Sequence, residues 1–140
     1  MKTILLTFIL LTGLLLAGSG CGKETSYMIL ENHYITACGV NDPLKNVQWL
    51  TEFCKEHTPT DFTGNTLTIS IYKNKTSVEN HYVISFVNSE VVDYSRKEVY
   101  DCSGLRLFLK GIAGPTPTGW DEFFQENEFV ATIWELKAKN

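Results

Sequence analysis

NTLTISIYKNKTSVENHYVISFV, residues 65–87, is the stretch on which the fold turns. Leu67, Ile69 and Ile71 alternate with Thr66, Thr68, Ser70 and Tyr72. That period of two lets a strand bury one face and wet the other. Tyr82 to Val87 (YVISFV) is a second β-forming run, and Lys73-Asn74-Lys75 reads as a turn, so a hairpin is expected here. Downstream, Glu98 to Asp101 and Leu105 to Lys110 (LRLFLK) form another pair around Cys102-Ser103-Gly104, where glycine tolerates positive φ. Phe129 to Leu136 (FVATIWEL) reads as a closing strand.

Upstream the period changes. Asp42 and Pro43 make a helix start, a capping side chain followed by a residue whose missing N–H costs nothing there. Leu44, Val47, Leu50 and Cys54 then share one stripe, flanked by Trp49 and Phe53. The helix is expected to run over 44–57 and stop before Pro59. Tyr27 to Tyr34 is a short first strand. Residues 111–119 (GIAGPTPTG) are irregular, and Thr118 ahead of Asp121 and Glu122 opens a short helix over 120–126. The expected fold is α+β: one long N-terminal helix packed on an antiparallel sheet of about four to five strands, with a short second helix before the last strand.

The first residues follow another logic. Met1-Lys2-Thr3 precedes an apolar run, Ile4 to Leu16, and the small residues Ala17-Gly18-Ser19-Gly20 lead to Cys21. One positive charge, a short apolar core and small residues make a secretory signal peptide, too short for a membrane span. The segment ending at Cys21 resembles the lipobox of bacterial lipoproteins, with Gly18 standing where that motif carries an aliphatic residue. The resemblance implies cleavage before Cys21 and attachment of lipid, palmitate included, to that residue; ordinary signal-peptidase cleavage near 17–20 is the alternative. Several chains on one cysteine anchor stably where one does not. Gly22 occupies the place where Asp marks inner-membrane retention, which implies the outer membrane, and Lys23-Glu24 resembles the surface-export signal of Bacteroidota lipoproteins. Residues 39–50 (GVNDPLKNVQWL) and 99–104 (VYDCSG) are similar to small lipoproteins of that group, which bring no established activity with them. The chain thus divides into a signal peptide (1–20), a lipidated tether (21–26) and one globular domain (27–140).

The chain carries 12 basic and 16 acidic side chains, a formal charge of -4. Losing residues 1–20 removes Lys2 and no acid, so the charge of the remainder becomes -5. No clustered Lys and Arg invite nucleic acid. With Cys21 acylated, Cys38, Cys54 and Cys102 remain in an oxidising compartment. A Cys38–Cys54 bridge would need the linker to double back along the helix, whereas Cys102 at a strand end can meet either partner. Cys38–Cys102 is the preferred pairing, with Cys54 buried; three reduced, buried cysteines are the alternative.

Chemistry-bearing motifs are scarce. G-x-S-x-G, H-E-x-x-H, a phosphate loop and a dinucleotide fingerprint are all missing. Cys54 and His57, one turn apart, could supply half a zinc site or a nucleophile pair, but no second ligand pair follows and packing explains both better. No catalytic residue, metal or cofactor is expected. Aromatics are plentiful, with three Trp, six Tyr and eight Phe. Tyr72, Tyr82, Tyr94, Tyr100 and Trp134 could present flat faces to a glycan or protein partner, against core packing for most of them. Trp120, beside the 111–120 loop, is the other candidate contact. These readings favour a non-catalytic, membrane-anchored envelope module, or alternatively an interaction or inhibitor domain acting on a secreted partner through that loop.

Overall fold

A computed structural model describes residues 27–57, 66–88, 94–111 and 113–139. The signal peptide, Cys21 and the tether expected over 1–26 lie outside the described residues. The alternation in 65–87 gives strands β4 (Thr66–Asn74) and β5 (Asn80–Asn88), paired antiparallel with Leu67 opposite Phe86, Ile69 opposite Ile84 and Ile71 opposite Tyr82. Leu67, Ile69 and Ile71 are fully buried. The turn lies at 75–79, where Asn74 Oδ1 accepts from the Thr76 and Ser77 backbone N–H groups and from the Thr76 hydroxyl.

Around this hairpin the remaining strands assemble: β1 (Tyr27–Glu31), β6 (Tyr94–Tyr100), β7 (Arg106–Lys110) and β8 (Asn127–Ala138). The sheet order is β1-β8-β4-β5-β6-β7, antiparallel throughout, with β1 and β7 at the edges. The long β8 lies between β1 and β4, and two register shifts against β4 let it keep contact along its length. A two-residue ribbon, β2 (Thr36–Ala37) with β3 (Val40–Asn41), precedes the helices.

The long N-terminal helix is not there. The segment expected as one helix forms α1 (Pro43–Asn46) and α2 (Gln48–Glu56), split at Val47, which is extended at φ -101°, ψ 106°. In a continuous helix the Leu44 carbonyl would accept from the Gln48 N–H. Here the Thr51 hydroxyl donates to Leu44 O (2.7 Å) and Val47 O (3.1 Å) and holds the break. Nor does Asp42 cap: it sits in the left-handed region without a capping bond. The α+β expectation is therefore corrected to a mostly antiparallel β fold, with a main sheet of six strands rather than four to five and three small helices among the described residues.

The stripe nevertheless packs as read. Leu44, Val47 and Leu50 are buried with Ile69, Ile71, Tyr82, Ile84 and Trp134 on one face of the sheet. Helix α3 (Trp120–Glu126) covers part of the other face, where Trp120 and Phe123 pack on Val83 and Val99. It starts on Gly119, at φ 83°, rather than on Thr118.

Candidate functional site

Period two along β6 aims Arg96, Glu98 and Tyr100 at the face that also carries Phe86, Ile84 and Tyr82 of β5, their register partners. Glu98 is only 3% exposed. A buried carboxylate must be paired and hydrogen-bonded to persist. Arg96 meets Oε1, the Tyr100 hydroxyl donates to Oε2, and Arg106 Nη1 reaches Oε2 from β7 at 3.3 Å. The arginine side chains remain 44% and 48% exposed. Two guanidiniums share one carboxylate, so the cluster keeps an excess positive charge, and each guanidinium has five N–H donors with few engaged here. Arg96 also lies over the Phe86 ring, 5.3 Å from its centroid. Burial, then the bond to Glu98, pushes the Tyr100 hydroxyl up to about 12, while Glu98 holds Arg106 more firmly protonated. The tyrosine therefore acts as a donor.

Aromatic rings and a disulfide lie beneath the cluster. Tyr100 stacks on Trp49 (centroids 5.3 Å apart), and Trp49 meets Tyr82 edge-on at 5.4 Å. The Trp49 indole N–H points at the Cys102 carbonyl, 3.4 Å away. Cys102 is disulfide-bonded to Cys38, Cα atoms 5.6 Å apart, as the sequence preferred. The Cys38 N–H also donates to Asn80 Oδ1 at 2.9 Å, tying the β2–β3 connection to the start of β5.

The aromatic candidates fall elsewhere. Tyr82 and Trp134 are 0% and 1% exposed, filling the core between the sheet and α2, and Trp120 anchors α3 at 5%. These three cannot offer flat faces to a partner, a correction that follows from the in-facing register positions of Tyr82 and Trp134 and from the sheet-facing side of α3 for Trp120. Tyr72 is half-buried among Phe123, Phe124 and Phe129. Trp120, turned inward, does not present its ring beside the 111–120 loop.

Burial first, then Glu31, pushes the Cys54 thiol up to about 12. His57 is bonded through Nδ1 to its own helix carbonyl at Phe53 (2.8 Å) and stacked on the Phe53 ring. That pair is built for packing. Among the described residues no group of three His, Cys, Asp or Glu is placed to hold a metal ion. His33 bridges Asp42 (2.7 Å) and Glu31 (3.0 Å), which raises its pKa, Asp42 contributing more. An open hollow of about 210 Å³ beside Asn32, Thr132 and Glu135 falls below the roughly 300 Å³ at which small-molecule sites begin.

The Arg96–Glu98–Arg106 cluster escaped the sequence reading. Its one sequence signal is an acid at an in-facing position of a β run, flanked two residues away by Arg96 and Tyr100. Comparison with protein-family models, curated proteins and solved structures yields no match. Among the described residues no helix is long and apolar enough to cross a membrane.

Proposed function

We propose that this protein is an envelope lipoprotein, anchored in the outer membrane through lipid on Cys21, whose folded part binds a partner at the β6–β7 corner and performs no catalysis. The observation that carries this reading is the Cys38–Cys102 disulfide. Such bonds persist in secreted and periplasmic proteins and are rare in reducing cytosol, which agrees with a leader that ends just before Cys21. Support for binding over catalysis comes from the corner itself, two half-exposed arginines held by a buried acid. The Cys54–His57 pair, which the sequence offered for nucleophile chemistry, is engaged in packing.

The test is the intact mass and fractionation of the protein from its own host. The expected species begins at Cys21, carries added acyl mass, contains one disulfide and sediments with membranes. Cys21→Ala should abolish the acyl mass and release the protein from the membrane pellet. A wild-type protein of unprocessed mass in the soluble fraction, with Cys38 and Cys102 reduced, would overturn the reading.

A further inference from the structure

We propose that the outer edge of β7 receives an extended acidic segment of a partner protein as an added strand. This deepens the binding role above and rests on it. β7 ends the sheet order, and among the described residues nothing pairs with its outer side. An edge strand presents a row of backbone donors and acceptors to which an extended chain can add. Leu105, Leu107 and Leu109 are 62%, 40% and 41% exposed along it. The register against β6 is regular from Phe108 to Lys110, and the one irregularity lies at the Arg106 end.

Charge selects the occupant. Arg96 and Arg106 flank this edge on one face of the sheet, and Lys97 and Lys110, which face each other across β6 and β7, flank it on the opposite face. The nearest acid on these strands, Glu98, is buried and already shared by both arginines. In a chain with a formal charge of -4, the solvent-facing charges of β6 and β7 are cationic on both faces, the neighbouring acids being Asp101 in the turn and Asp121 and Glu122 after Trp120 on α3. An incoming strand alternates its side chains between the two faces, so acidic residues in it find a cation either way. A second copy presenting the same edge would set cations against cations. The opposite edge, β1, offers Glu31, which is occupied by His33.

The cations are also docked before any partner arrives. Glu98 holds Arg96 and Arg106, Lys97 sits over the Phe124 ring at 5.8 Å, and Lys110 over Trp120 at 5.5 Å. Side chains already ordered lose less entropy on binding. Position helps too. Five strand spacings of about 4.8 Å put β7 roughly 24 Å across the sheet from β1, the strand that follows the tether.

The test uses the full chain in non-ionic detergent and two fluorescein-labelled peptides, Gly-Val-Glu-Glu-Val-Glu-Glu-Gly, which places acids on both faces of an added strand, and its counterpart with Lys for Glu. Fluorescence anisotropy should show the acidic peptide binding at least tenfold tighter than the basic one, with affinity falling as salt is raised. Amide hydrogen exchange over 105–111 should slow on binding. The Lys97→Glu/Lys110→Glu double variant lies outside the Glu98 cluster and should weaken binding tenfold or more; Lys97→Gln/Lys110→Gln, which adds no new charge, should weaken it less. Equal affinity for both peptides, protection over 27–31 instead of 105–111, or self-association that protects β7 without peptide would each overturn the proposal. Anchorage is read separately. Membrane attachment without peptide binding sinks this inference alone, and peptide binding by an unacylated soluble protein sinks only the anchoring.

Discussion

Cys54 and Glu98 show burial acting on two ionisable groups in opposite circumstances. Glu98 has charged partners on both oxygens and can afford its place near the core. Cys54 lies among apolar neighbours with Glu31 nearby, so its thiolate is disfavoured and its pKa stands at about 12. At pH 8 roughly one thiol in ten thousand would then be ionised. The folded, non-reduced protein should therefore react with iodoacetamide roughly a hundred- to a thousandfold more slowly than the urea-unfolded one, as counted by mass spectrometry. Rapid labelling of native Cys54 would reopen a nucleophilic role. At this scale the sequence disclosed the Cys38–Cys102 pairing and hid the arginine cluster. Two strand-end cysteines advertise themselves by type. The meeting of Arg106 with Glu98 depends on the register shift between β6 and β7, which no periodicity records.

Elements were legible where one period governed them. The β4–β5 hairpin, the β6–β7 pair and β8 arise where alternation pointed, and α3 where the acidic first turn did, its cap one residue after the expected one. The broken helix was not, because Leu44, Val47 and Leu50 still share a stripe across the break, and a stripe cannot register one extended residue inside it. The β2–β3 ribbon is too short for any period to show. The β6–β7 turn depends on one residue most of all. Asp101 Oδ1 accepts from the Ser103 N–H, the Ser103 hydroxyl and the Leu105 N–H, while Gly104 sits at φ 88° against Trp49. A Cβ there would lie 2.8 Å from the indole ring. Gly104→Ala should cost about 2–4 kcal/mol, combining left-handed strain with overpacking, seen as a lower urea midpoint with an unchanged slope. It should also disturb Trp49 fluorescence, because that ring has to move.

Fold class was the scale at which the sequence reading went astray, for a reason of proportion. One helix divided into two short pieces, and several strands ran longer than their apolar runs, so sheet outweighs helix. Holding this together is the Cys38–Cys102 bridge, which spans 64 positions and joins the small ribbon to the β6–β7 turn. Closing a loop of that length restricts the unfolded chain by about 4 kcal/mol in the chain-entropy model. The Cys38→Ala/Cys102→Ala double variant should lose stability of that order in chemical denaturation, and a loss below about 1 kcal/mol would show that the bridge does not constrain the unfolded chain. The pairing of β1 with β8 has a different consequence. Tyr27 faces Ala138 across that ladder, 111 positions away, so β1 leaves the ribosome long before its partner strand and waits unpaired while the residues between them are made. Its place in the sheet opens only once β8 has been made, so this edge of the sheet closes after the β4–β7 strands can already have paired.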